Sequence, residues 1–208
     1  APVPTLARTR AAPARRPPRL GEHTDAVRSA NEWLEGRARV DLEGTSTGGW
    51  GPLRGVRVLD LSQWLAGPAA AALLGDFGAD VIMVELPSVA ADAQGRKSPG
   101  FVVTNRNKRS ITLDVRAPAG REAFLALVRQ SDVIVENFRP GTLERWDLAP
   151  ATLLEVNPRL VLLRSSGFGQ SGPYTARAAF NPVGLAFGGM TYLNGWPDRP
   201  PVRDGIMA

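Results

Sequence analysis

Residues 51–85 read Gly-Pro-Leu-Arg-Gly-Val-Arg-Val-Leu-Asp-Leu-Ser-Gln-Trp-Leu-Ala-Gly-Pro-Ala-Ala-Ala-Ala-Leu-Leu-Gly-Asp-Phe-Gly-Ala-Asp-Val-Ile-Met-Val-Glu, and the order of apolar runs and breakers within them decides the fold. Residues 56–61 are a β-branched and leucine run of strand length, Pro68 can open a helix, Gly78 can close it, and residues 81–85 are a second apolar strand. Together they spell one βαβ unit. A helix joining two parallel strands crosses over right-handed and leaves the carboxyl ends of the strands facing a crevice, where α/β proteins take their ligands. The turn at residues 62–67 is therefore where a ligand is expected to lie.

The chain continues in the same rhythm. Residues 87–100 are polar and patternless, and residues 110–115 alternate as a strand. Pro118 opens a helix whose Ala123, Phe124, Leu127 and Val128 share one face. Residues 132–136 are a strand, 141–146 and 150–156 short helices, and 160–164 a further strand running into Ser165-Ser166-Gly167-Phe168-Gly169-Gln170-Ser171-Gly172-Pro173. Alternating strands and helices imply an α/β fold, with a mostly parallel sheet covered by helices on both faces.

Upstream the composition changes. Residues 1–19 mix Pro2, Pro4, Pro13, Pro17 and Pro18 with alanine and arginine, and bury too little apolar surface to fold alone. Residues 25–36 are a short helical candidate with Thr24 as N-cap and Val27, Trp33 and Leu34 as a weak apolar stripe. Residues 44–51, Gly-Thr-Ser-Thr-Gly-Gly-Trp-Gly, read as a flexible joint. The chain thus divides into a Pro/Arg-rich and Gly/Ser-rich tail and linker, 1–51, and a folded domain, 52–208. Of the net charge of +5, the first 40 residues hold +4, with eight arginines against four acids, so the folded part is nearly neutral. A basic tail with one aromatic and no binding fold reads as a solvated linker, with no nucleic acid as partner.

Several chemistries are excluded by residue type. With no cysteine among 208 residues there is no disulfide, thiolate metal site or cysteine nucleophile, which fits a reducing cytoplasm. No run approaches the ~18 apolar residues of a membrane span, so no membrane partner is expected. The only histidine, His23, lies in the tail and reads as a surface residue, so a Ser-His-Asp hydrolase has no base here. No cluster has metal-ligand spacing, and no metal is expected. The turn after the first strand, Ser62-Gln63-Trp64-Leu65-Ala66-Gly67-Pro68, lacks the Gly-x-Gly-x-x-Gly of dinucleotide enzymes. Gly167, Gly169 and Gly172 repeat that spacing, but Pro173 follows and the segment reads as a turn.

Five segments carry a family resemblance: Val-Arg-Val-Leu-Asp-Leu-Ser-x-x-Leu-Ala-Gly-Pro (56–68), Leu-Leu-Gly-Asp-Phe-Gly-Ala-Asp-Val-Ile-x-Val-Glu (73–85), Asn-Arg-Asn-Lys-Arg-Ser-Ile-Thr-Leu-Asp-Val (105–115), Asp-Val-Ile-Val-Glu-Asn-Phe-Arg-Pro-Gly (132–141) and Ser-Gly-Phe-Gly-Gln-Ser-Gly-Pro-Tyr (166–174). In this order, over residues 53–208, they resemble the class III coenzyme A transferases, the CaiB/BaiF family. The resemblance implies the incomplete, Rossmann-like large domain of that fold. It also implies an interlocked homodimer or a pairing with a second transferase unit, and transfer of coenzyme A between an acyl-CoA and a carboxylic acid.

Coenzyme A couples phosphates to a thin apolar arm, so its site needs guanidinium or ammonium groups at one end and an apolar slot at the other. By motif match, Gln63, Leu65 and Ala66 border the thioester end, and Leu113 and Arg116 flank the adenine. Asn137 and Phe138 hold the pantetheine arm, and Thr142 and Arg145 meet the phosphates. Lys108 and Arg109, a charged pair ahead of a strand, read as surface.

The departures are as informative. Family members attack the thioester with an aspartate, forming a mixed anhydride and then an aspartyl thioester. Pro200-Pro201-Val202-Arg203-Asp204-Gly205-Ile206-Met207-Ala208 enters the stretch that leads to that residue, and the match puts the nucleophile two residues beyond Ala208, with no catalytic residue inside the chain. Asp204 sits too early in the motif. Asn181 stands where transferases often carry an acid and related racemases a histidine-aspartate pair, so proton exchange by that pair is not supported. Met83 and Leu86 replace a common cation.

Residues 18–30 resemble the closing segment of the same family, placed here before the opening motif, as in a slice from a tandem-unit protein. Such a slice is expected to expose apolar surface that the rest of the fold covers. Three readings stay open: an acyl-CoA transferase of which this chain is the coenzyme A-binding part, a non-catalytic dimerisation unit, and another Rossmann-type enzyme, whether racemase-like, dehydratase-like or an oxidoreductase.

Overall fold

The computed structural model describes residues 16–29, 51–87, 96 and 98–202. Readings that rest on Trp33 and Leu34, on the joint up to residue 50 and on Asp204 lie outside the described residues. Five strands form the sheet: β1 (Arg57–Asp60), β2 (Asp80–Glu85), β3 (Lys108–Thr112), β4 (Val133–Glu136) and β5 (Val161–Arg164). Their order is β3-β2-β1-β4-β5. Every pairing is parallel, with Leu59 opposite both Ile82 and Ile134.

The helices are α1 (Thr24–Ser29), α2 (Ala66–Asp76), α3 (Pro99–Thr104), α4 (Pro118–Arg129), α5 (Thr142–Arg145), α6 (Pro150–Val156), α7 (Asn181–Phe187) and α8 (Met190–Leu193). α2 starts two residues before Pro68, which is tolerated because first-turn N–H groups have no intrahelical partner to lose. α3 begins at the end of the stretch read as patternless, 87–100, and runs four residues past it. Ser98 caps it, accepting from Phe101 N at 3.1 Å, and Pro99 opens it. None of the described helices is long and apolar enough to cross a membrane.

Alternation along the strands gives the sheet two apolar faces. One carries Leu59, Ile82, Ile111 and Ile134 against Phe124, Leu127 and Val128 of α4, Leu143 of α5 and Leu153 of α6. The other carries Val58, Val81 and Val135 against Ala71 of α2. The alanines of α2 let that helix approach the sheet closely.

The two outer strands are treated differently. β3 is covered by the tail: His23 N donates to Ser110 O (3.1 Å), while Ser110 N donates to His23 Nδ1 (3.3 Å) and Thr112 N to Thr24 Oγ1 (3.3 Å). Val27 is fully buried in the core, and Arg96 ties the segment down by donating to Pro18 O (3.0 Å) while pairing with Glu85. The exposed backbone of an edge strand is thereby satisfied. His23 is thus half-buried against β3 rather than at the surface, because its imidazole is the acceptor that the strand's N–H needs. β5, at the opposite edge, leaves Val161 and Leu163 exposed. Phe187, Tyr192, Leu193 and Trp196 on and after α7 and α8 are exposed too, which is where the apolar surface expected from the sequence lies.

Candidate active-site crevice

The strand order contains a switch point. β1 leads through α2 to β2 on one side, whereas its neighbour on the other side is β4, so the turns after β1 and β4 diverge and open a crevice at the carboxyl edge. The two turns are tied to each other by one side chain. Asn137 Oδ1 accepts from Gln63 N at 2.8 Å and Asn137 Nδ2 donates to Gln63 O at 2.6 Å, so the amide pairs with the backbone of the facing turn as a strand would. Next to Gln63, Trp64 is in the left-handed region (φ 69°) and 81% exposed, a conformation that costs a non-glycine residue energy and marks the turn as over-determined by its surroundings.

A cavity of about 250 Å³ lies in this crevice, lined by Gln63 and Trp64 from the first turn, Asn137, Phe138 and Arg139 from the second, and by Phe168, Arg177 and Phe180 from the segment after β5. Trp64, Phe138, Phe168 and Phe180 give it aromatic patches, and further rings pack behind two of them. Phe138 meets Trp146 edge-on (5.1 Å between centroids), and Phe168 meets Phe187 in the same way (5.1 Å). Arg177 lies over the ring of Tyr174, 4.2 Å from its centroid. An apolar slot with guanidinium groups at its border suits a ligand that is thin and apolar at one end and anionic at the other.

Beneath the crevice, β1 and β4 each end in a buried carboxylate that holds the turn above it. Asp60 Oδ1 accepts from Ser62 N (3.0 Å) and from Ser62 Oγ, and Glu136 Oε2 accepts from Phe138 N (2.7 Å). Each carboxylate is neutralised by a cation from another strand: Lys108 for Asp60 (2.7 Å), Arg164 for Glu136 (2.7 Å). Burial pushes the Lys108 ammonium below its ordinary pKa, and the charge of Asp60 restores part of that loss. Among the described residues no group of three or more His, Cys, Asp or Glu side chains converges as a metal site would require.

Over residues 53–208 the sequence matches the family described as CoA-transferase family III. The chain belongs to that family. It is 48% identical over 162 residues to a succinyl-CoA–D-citramalate CoA-transferase of Chloroflexus aurantiacus, covering 74% of this chain and 40% of that protein. It is 43% identical over 162 residues to the alpha subunit of a succinyl-CoA–L-malate CoA-transferase of the same organism, covering 74% and 38%. The crystal structure of a CaiB/BaiF family protein from Brucella suis superposes with a TM-score of 0.67 at 38% identity, over 76% of this chain and 44% of that one. The chain therefore spans about 40% of the length of the curated relatives it matches.

Of the residues that the family motifs point to, the fold brings Gln63, Asn137 and Phe138 together around the cavity. Leu65 and Ala66 follow directly in the first turn, Leu65 as N-cap and Ala66 as first residue of α2, and neither lines the cavity. Thr142 and Arg145 lie on α5, with Arg145 Nη2 donating to Thr142 Oγ1 (2.9 Å), also outside the lining. Leu113 and Arg116 follow β3, two strands away from β1. The Leu113 side chain is buried in the core. Arg116 is exposed and forked onto Asp114 (2.8 and 2.9 Å), whose hydrogen bond and charge raise the arginine's pKa further.

What sequence reasoning passed over is Lys108, read as surface but wholly buried, because the carboxylate it meets is 48 residues away in the chain. Arg139 and Arg177 were passed over as well. They stood inside the quoted 132–141 stretch and just past the 166–174 stretch, so their sign was available but their convergence was not.

Proposed function

We propose that this chain is the coenzyme A-binding part of a transferase that moves coenzyme A between carboxylic acids. The observation that carries the reading is the Gln63–Asn137 crevice at the switch point of a family III sheet, with an aromatic slot and Arg139 and Arg177 on its border. The pantetheine arm lies along Phe138 and the Asn137–Gln63 bridge, with the thioester at the turn that runs through Leu65 and Ala66 into α2. The phosphates and adenine extend over the carboxyl edge toward Thr142, Arg145, Leu113 and Arg116.

In the step that the family resemblance implies, an aspartate carboxylate attacks the acyl thioester held by this part. The C–S bond breaks, coenzyme A leaves as thiolate, and a mixed anhydride forms. The thiolate then attacks the aspartyl carbonyl, releasing the first acid and leaving an aspartyl thioester. A second carboxylate attacks that carbonyl, expelling the thiolate and forming a second anhydride, and the thiolate attacks its acyl carbonyl to give the new acyl-CoA and free aspartate. Succinyl-CoA, the donor in the names of two Chloroflexus relatives, is the first donor to try.

Relatives named as alpha and beta subunits support an assembly of several such units, here an interlocked homodimer or a pairing within a tandem protein, and Gly21, His23 and Thr24 bonding to β3 agree with such a tandem. A chain without cysteine suits a cytoplasmic setting. Asn181 in place of the usual acid favours one other reading, a unit that serves only as structural partner. Calorimetric titration of the parent protein with coenzyme A decides between them. Saturable binding, weakened about tenfold by Asn137→Ala, supports the first reading; an absence of heat rejects it.

A further inference from the structure

Lys108 is the one lysine among the described residues, its ammonium is sealed in the α2 face of the sheet, and its bonds have a pattern that stability alone does not require. The side chains of Lys108 and Asp60 are both 0% exposed. Its three N–H donors are all used, toward Asp60 Oδ2 (2.7 Å), Pro68 O (2.8 Å) and Asn105 Oδ1 (2.9 Å). Taking such a pair out of water is expensive, and apolar side chains of similar volume fill a core as well or better. What an ion pair adds is a fixed geometry.

The geometry here concerns one loop. Asp60, held at Oδ2, turns Oδ1 to Ser62, whose N–H and hydroxyl both bond it. Pro68 O lies in the first turn of α2, on the other side of the same loop. One ammonium therefore fastens both ends of the turn at residues 62–67, and Asn137 grips its second residue, Gln63. Gly67 closes the arrangement, since a Cβ there would stand 2.2 Å from the Cβ of Ser62.

We propose that Lys108 and Asp60 are positioning residues for coenzyme A. They hold the turn at residues 62–67 in its binding conformation from beneath, without touching the ligand. The proposal rests on the coenzyme A reading above. A purely structural pair would stabilise the sheet and leave ligand affinity alone once the charge is balanced.

The test uses the full-length parent protein with three variants: Asp60→Asn, Lys108→Met and the charge-neutral double variant. Each single variant leaves one buried charge alone and is expected to melt lower than the wild type. The double variant is expected to recover most of the melting temperature. It should still bind coenzyme A about tenfold more weakly, with a raised KM for acyl-CoA and little change in kcat. It should also exchange the amides of Ser62 and Gln63 at least tenfold faster, while those of Leu59 and Ile82 keep their protection. A double variant with wild-type affinity and wild-type exchange in the turn overturns the proposal.

If these variants fail to fold, Ser62→Ala removes the hydroxyl link and leaves the ion pair in place. It should speed exchange at Gln63 and weaken binding about fivefold, and no change in either overturns the proposal. A wild-type protein that binds no coenzyme A rejects the function proposed above, and the exchange measurement, which needs no ligand, still decides the role of the pair.

Discussion

The ends of β1 and β4 solve one problem with different chemistry. Both strands finish in a buried carboxylate that accepts an N–H from two residues further on, and both carboxylates need a counter-charge. At β1 the cation is Lys108, a compact point charge enclosed by three acceptors and cut off from water. At β4 it is Arg164, whose planar fork spans Glu136 and the half-open Glu144 (2.8 and 3.2 Å) and keeps 14% of its side-chain surface in solvent. An ammonium can be wrapped completely by a small cage, whereas a guanidinium with five donors is more readily satisfied where part of it reaches water. The β1 end is therefore rigid and intolerant, and the β4 end is adjustable.

The largest effect that can break this comparison is the removal of one charge. Asp60→Ala should cost about 3–5 kcal/mol in denaturant unfolding, because it strands a buried ammonium. Arg164→Ala should cost about half that, since water can reach part of the site it leaves. Equal losses would show that the two ends do not differ.

Next comes shape. Gly67→Ala pushes a methyl group into Ser62 and should cost about 1–3 kcal/mol by overpacking. Gly141→Ala, in the loop after β4, has room for its Cβ but sits at φ 83° and should cost only about 1 kcal/mol, both read from shifts in unfolding midpoint.

The pH response should separate the ends by sign. The hydrogen bond from Arg164, with its charge, holds the Glu144 carboxyl below its ordinary pKa, so that contribution is present above the unfolded value and is lost as the pH falls through the folded one. Lys108 is lowered instead, so the unfolded chain binds more protons between the folded and unfolded values, and this group's contribution rises with pH across that window. Glu144→Gln should flatten the acid limb of a stability–pH curve and Lys108→Met the alkaline one; a variant that alters the opposite limb contradicts the assignment. The smallest effect is expected at Arg116. Arg116→Ala should leave the melting midpoint unchanged, because the pair it forms with the partly exposed Asp114 is screened by water, and on the coenzyme A reading proposed above it should lower only that affinity.

The strands were legible because each is a short β-branched or leucine run between breakers, and four of the five match their predicted spans to within a residue at each end. β3 lies two to three residues earlier than its alternation suggested, since Lys108 and Arg109 belong to it. Both are charged, and their ion pairs with Asp60 and Asp80 make them acceptable in a sheet. α3 was missed although Ser98 and Pro99 announce it, because its Val102 and Val103 stay exposed and give no amphipathic stripe. In the crevice, Gln63, Asn137 and Phe138 could be named from motif and position. The bond between Asn137 and Gln63 could not, as it joins residues 74 apart.

The sequence by itself determined the alternation of strands and helices, the turn at which a ligand is expected and the family, because periodicity, breakers and motifs are local and survive without coordinates. The tertiary structure alone decided that β4 lies beside β1, that Lys108 reaches beneath the first turn, and that the tail covers β3. Those outcomes depend on which distant groups can satisfy one another when water is excluded, and no stretch of neighbouring residues carries that information.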